Sequence, residues 1–110
     1  MRRRFLVGAL GLPIAMTGGA DRIFAGSGIV HDIEIKSFEF NPSVLEVRPG
    51  DQIRWVNRDI SPHTATAEDG SWDTGELRRG QSAKLEVTQN MSTAYFCAFH
   101  PNMRAEFIIL

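Results

Sequence analysis

Thr93-Ala94-Tyr95-Phe96-Cys97-Ala98-Phe99-His100-Pro101-Asn102-Met103 lies close to the C-terminus of the chain. Its first five residues mix a β-branched residue with aromatic ones, types that fit a pleated surface, and they predict a strand ending at Cys97. Cys97, His100 and Met103 then recur at intervals of three. Each step is about one tight turn long, so a thiol, an imidazole and a thioether face a common centre. Pro101 stiffens the loop and removes one backbone donor from it. Three donors so close together need a rigid scaffold beneath them and a fourth group from elsewhere.

Upstream of this stretch the hydrophobic period is two rather than 3.6. Ile29, His31, Ile33 and Ile35 alternate with Val30, Asp32, Glu34 and Lys36, and the pattern resumes over 44–47. Arg48-Pro49-Gly50-Asp51 is a turn, since proline presets one dihedral and glycine accepts a positive one. Gln52 to Asn57 reads as a further strand, Arg58 to Pro62 as loop, and Thr64 to Ala67 as a weak strand. Turn signals at 68–71 and 79–80 precede alternation over 83–87, and Ala105 to Leu110 is the last strand. No segment carries a helical stripe of three turns. Short strands punctuated by turns predict an all-β chain, an antiparallel sandwich or barrel.

The fourth donor is His63, after Pro62. One thiolate, two imidazoles and a weak thioether form the donor set of a blue (type 1) copper site. Imidazole suits Cu(II) and Cu(I) alike, while thiolate and thioether favour the softer Cu(I). The mixed set therefore lies between the preferences of the two ions, and an electron moves with little rearrangement. The sulfur binds as thiolate, and ligation displaces its proton. Zinc fits less well, because structural zinc sites use Cys and His and methionine is a poor zinc ligand. A Cys97–His100 nucleophile pair is weaker still, with no third orienting group and no oxyanion site in view. His31 lies in a strand far from these residues in sequence and receives no role.

The chain has 110 residues, enough for one domain. Met1-Arg2-Arg3-Arg4-Phe5-Leu6-Val7 opens a positively charged segment. A short apolar run to about Met16 follows, broken by Gly8, Gly11 and Pro13. That pattern predicts an export signal over residues 1–25 rather than a membrane span, leaving residues 26–110 as the mature domain. Arg2-Arg3-Arg4-Phe5-Leu6 resembles the twin-arginine signal, without the serine or threonine usual before the pair. Residues 1–25 hold four of the 12 basic residues and one of the 13 acidic ones, which leaves 8 and 12 and a net charge of −4 with His neutral. No basic stripe interleaved with aromatics is present, which argues against nucleic acid as a partner. Exported domains this small often rely on disulfides, but Cys97 is the one cysteine. A leftover cysteine in an exported chain is reactive, paired between chains or bound to something.

The sequence resembles the cupredoxins, and within them the plastocyanin/amicyanin group. Phe38-Glu39-Phe40-Asn41-Pro42, Val47-Arg48-Pro49-Gly50-Asp51, Trp55-Val56-Asn57, Pro62-His63 and Tyr95 to Met103 carry the likeness. The Cys-x-x-His-x-x-Met loop has the short amicyanin-like length, and Pro-His ends six residues past the asparagine of Trp-x-Asn. The resemblance implies a Greek-key β-sandwich with one copper under the loops at one end. It implies His63, Cys97 and His100 as equatorial ligands and Met103 as the axial one. It further implies that the Asn57 side chain ties the two ligand loops together, as a metal site requires of its surroundings. Two departures stand out. Thr64 replaces the asparagine that usually follows the upstream histidine and buttresses the thiolate loop, so a looser site or a shifted potential is expected. Phe99 takes the place of a proline before His100. Pro62, Phe99 and Pro101 together predict an apolar rim around His100 on which redox partners dock.

The expectation is a periplasmic, monomeric copper protein that passes single electrons between partner proteins such as a dehydrogenase or a cytochrome. It would not be an enzyme, and its mature form would have no membrane span. A copper carrier or storage module, and an electron-feeding partner dedicated to one dehydrogenase, remain the alternatives.

Overall fold

A computed structural model describes residues 28–110; the segment read as an export signal, residues 1–25, lies outside the described residues. Eight strands follow one another: β1 Val30–Lys36, β2 Glu39–Asn41, β3 Val44–Val47, β4 Gln52–Asn57, β5 Thr66–Ala67, β6 Ser82–Glu86, β7 Ala94–Cys97 and β8 His100–Ile109. They form two four-stranded sheets, one ordered β2-β1-β4-β6 and the other β3-β8-β7-β5. The chain is a β-sandwich, as the two-residue periodicity requires. Ile33 and Ile35 of β1, Ile53 and Trp55 of β4, Tyr95 of β7 and Phe107 of β8 turn inward and are buried.

The sheets are mixed rather than purely antiparallel. β1 runs parallel to β4, with Ile33 opposite Trp55, and β3 runs parallel to β8, with Leu45 opposite Phe107. Alternation fixes which face of a strand is buried but not the direction of its neighbour, so the sequence does not carry this distinction.

Aromatic rings fill the space between the sheets. Trp55 meets Tyr95 edge-on at 5.6 Å, Phe40 meets Tyr95 at 4.9 Å, and Trp72 stacks on Phe107 at 5.9 Å. Each ring of this size removes about 150–250 Å² from water, worth about 4–6 kcal/mol before entropy is counted. Burial pushes the Tyr95 phenol far above its ordinary pKa, so it stays neutral and receives the Trp55 indole N–H at 3.4 Å.

β1 and β2 join through a two-residue loop, Ser37-Phe38, with Lys36 opposite Glu39. Both loop residues have positive φ, 56° and 60°, and neither is glycine. Paired positive φ values suit the twist of a two-residue hairpin but usually recruit Asn or Gly. In an L-residue they cost about 1–2 kcal/mol each. The missing glycine is why β2 escapes a reading of the sequence.

At the other end of the sandwich Arg48-Pro49-Gly50-Asp51 forms the expected turn, with Gly50 at φ 95° and the Asp51 N–H donating to the Arg48 carbonyl at 3.0 Å. The Asp51 carboxylate accepts the N–H groups of Ile29 (3.1 Å) and Arg48 (3.0 Å) and the His31 ring at 2.8 Å. His31 therefore fastens the start of β1 to the turn before β4. Gly28 lies so close to the Gly50 carbonyl that a Cβ there would stand 2.3 Å from its oxygen.

Candidate metal centre

β4, β7 and the Ser37-Phe38 hairpin all end at the same pole of the sandwich, and the predicted donors gather there. Cys97 is the last residue of β7, and His100 is the first of β8 and its register partner, with an irregularity between Phe96 and Cys97. The connection is a hairpin of two residues, Ala98-Phe99, rather than a longer loop. Met103 thus stands on β8 itself, facing inward like Phe107. This corrects the reading of two successive turns: the last strand begins at His100 rather than Ala105, five residues earlier, because ladder pairing continues to His100.

His63 is delivered by a separate segment. Its N–H donates to the Leu77 carbonyl at 3.0 Å, and Leu77 N–H returns to the His63 carbonyl at 2.7 Å. This isolated bridge pins the backbone while the side chain is fully buried. The Nδ1 atoms of His63 and His100 each lie 3.7 Å from Cys97 Sγ. All three donor atoms fall within 4.8 Å of one another. Metal bonds of about 2.0–2.1 Å to nitrogen and about 2.3 Å to sulfur, spread by about 120°, place sulfur and nitrogen about 3.8 Å apart. Both sulfur–nitrogen distances therefore suit a single shared ion. His63 and Cys97 are fully buried, Met103 is 6 % exposed, and His100 is half-buried.

The supports of this site differ in part from those the sequence predicts. Asn57 is buried, and its Nδ2 donates to the carbonyls of Ser61 (3.0 Å) and Leu77 (2.8 Å), while its Oδ1 accepts Asp59 N–H at 2.8 Å. It braces the approach to His63 against the Leu77 segment, not against the Cys97 hairpin. Thr64 makes that second connection. Its N–H points at Cys97 Sγ from 3.4 Å, and its hydroxyl accepts the Ala98 N–H at 2.8 Å. The hydroxyl also contacts Thr66 Oγ1 at 2.9 Å, and Thr66 donates to Asp73 at 3.0 Å. A carboxylate only accepts and a peptide N–H only donates, so the chain is directed from Ala98 through both hydroxyls to Asp73.

Two further residues belong to the site and were missed. Asp59 Oδ2 lies 2.8 Å from His63 Nε2. Burial pushes the Asp59 carboxyl up, but the N–H groups of Phe38 and Ser37 and the His63 ring outweigh it, and its pKa falls below the ordinary aspartate value. Phe38 stands edge-on to His63 at 5.2 Å and to His100 at 4.8 Å, and is half-exposed. An acidic residue four positions before a candidate ligand histidine was the available signal for Asp59. The rim residues Pro62, Phe99 and Pro101 are exposed, Phe99 at 49 %. Phe38, Phe99 and Pro101 line one shallow depression beside His100.

A fully buried thiol between two imidazole nitrogens, at one pole of an all-β sandwich, defines a copper site of the cupredoxin kind. Residues 28–109 match the family model described as copper binding proteins, plastocyanin/azurin family, and the chain belongs to that family. It is similar to amicyanin of Paracoccus denitrificans, at 26 % identity over 82 residues, covering 70 % of this chain. The chain spans 63 % of that relative's length. Among solved structures it is similar to a reduced amicyanin variant, at 27 % identity and a TM-score of 0.63, covering 79 % of this chain and 86 % of the other. A copper-containing nitrite reductase from Thermus scotoductus SA-01 shares the fold over 73 % of this chain and 22 % of its own, with a TM-score of 0.67 and 22 % identity. The cofactor is one type 1 copper.

Proposed function

We propose that this protein carries single electrons between redox partner proteins in the periplasm, with Met103 as the axial fourth donor beside His63, Cys97 and His100. The bound metal supplies a one-electron Cu(II)/Cu(I) couple. The observation that carries the reading is the burial of Cys97 with two imidazole nitrogens 3.7 Å from its sulfur. Four protein donors leave no position for a substrate, and this supports a carrier over an enzyme.

His63, Cys97 and Met103 are enclosed, so His100 is the donor that reaches the surface. Pro62, Phe99 and Pro101, with Phe38, form the apolar rim on which a dehydrogenase or a cytochrome docks. Weak electron-transfer contacts bury little area, so a patch of this size serves. The mature domain works as a monomer. No helix among the described residues is long and apolar enough to cross a membrane. The basic and apolar N-terminal segment supports export.

The test is the visible spectrum and voltammogram of the copper-loaded mature protein. An intense blue band that disappears in Cys97→Ala, with a reversible one-electron wave, is the expected result. Stoichiometric copper without colour, or ready loss of copper to a chelator without reversible redox, would instead make the protein a copper carrier.

A further inference from the structure

The Ser37-Phe38 loop holds two non-glycine residues at φ 56° and 60°. Such backbone persists only where its surroundings hold it. Here the holder is Asp59, whose Oδ1 accepts Ser37 N–H at 2.8 Å and whose Oδ2 accepts Phe38 N–H at 3.0 Å. The same Oδ2 accepts His63 Nε2–H at 2.8 Å. The Asp59 backbone is itself fixed by donation to Asn57 Oδ1 at 2.8 Å. Three donors from two segments thus converge on one carboxylate, whose side chain is 14 % exposed.

We infer that Asp59 is a positioning residue for both copper-binding imidazoles, acting on His63 by a hydrogen bond and on His100 through Phe38. A carboxylate accepting at Nε2 places the ring proton there and leaves the Nδ1 lone pair facing Cys97 and the metal. Its grip on the hairpin sets the Phe38 ring edge-on to both imidazoles, 5.2 Å from His63 and 4.8 Å from His100. The carboxylate charge also raises the donor strength of His63, which favours Cu(II) over Cu(I). This inference rests on the copper function proposed above and assigns it a control point.

The test compares wild type, Asp59→Asn, and Asp59→Asn combined with Ser37→Gly. Glycine relieves strain at residue 37 and keeps the Phe38 ring. In Asp59→Asn the affinity for Cu(II) relative to Cu(I) falls about tenfold, which is a rise of about 59 mV in midpoint potential. Ser37→Gly restores thermal stability to that variant but not its potential, because the turn is relieved while His63 still lacks its acceptor. In the diamagnetic Cu(I) protein, the Ser37 and Phe38 amides exchange slowly in wild type and rapidly in Asp59→Asn. An unchanged potential in Asp59→Asn, a potential restored by Ser37→Gly, or equal amide exchange in both proteins would overturn the inference. A wild-type chain that forms no blue site would sink the functional reading instead, and the amide arm, run without copper, would then decide this one.

Discussion

The backbone N–H of Thr64 points at Cys97 Sγ from 3.4 Å, and the hydroxyl of the same residue holds the next peptide, Ala98, at 2.8 Å. One residue therefore braces both the sulfur and the hairpin that carries it. In Thr64→Val the shape survives and the hydroxyl is lost. Ala98 N–H then loses its acceptor, at a cost of about 1 kcal/mol, seen as a lower Tm by calorimetry. The blue chromophore persists, because the Thr64 N–H remains, but its band shifts. A variant with unchanged Tm and spectrum would remove Thr64 from the site's support.

Met103 packs at 6 % exposure, and leucine is close to it in volume. Met103→Leu is expected to keep the fold within about 1.5 kcal/mol and to raise the reduction potential, because Cu(I) tolerates a smaller donor number than Cu(II), an effect that outweighs the softness of a weak, long axial thioether. Voltammetry reads the direction. A lowered potential would exclude Met103 as the axial donor.

Asp51 titrates with a sign that is fixed by its surroundings. Burial pushes its carboxyl up, but His31 and the N–H groups of Arg48 and Ile29 more than compensate, and its pKa lies below the ordinary aspartate value. A depressed folded-state pKa contributes stability above the unfolded pKa and loses it as pH falls through the folded one. Stability is thus held at neutral pH and declines from about pH 4 downward. Asp51→Asn is expected to cost about 2 kcal/mol at pH 7 and to flatten that acid limb. Thermal unfolding followed from about pH 2 to about pH 7 measures both.

The legible and hidden parts of this molecule divide along physical lines. Ile33, Ile35, Ile53 and Trp55 announced their strands because burial on one face imposes a period of two. The His63, Cys97 and His100 cluster was legible because its donor chemistry is rare in combination. Strand direction was not, since alternation is the same either way. The Ser37-Phe38 turn was hidden because its strain is relieved by Asp59, 21 residues beyond Phe38. Asn57 was assigned to the wrong neighbour for a related reason. Its reach depends on where Leu77 sits, and only the folded chain brings that residue to 2.8 Å.

Phe99 is half-exposed beside His100. Phe99→Glu is expected to leave potential and spectrum unchanged and to slow electron self-exchange about tenfold, because two like-charged rims then meet and repel. Self-exchange measured by NMR line broadening is the readout. A wild-type rate would place the docking face elsewhere.

Among the described donors His100 alone is not closed off from solvent. If current enters and leaves by that single imidazole, source and sink compete for one berth. Under the proposed carrier role, no three-protein complex would then form across the copper, turnover would alternate between two binary encounters, and a large excess of either partner would slow the other's access.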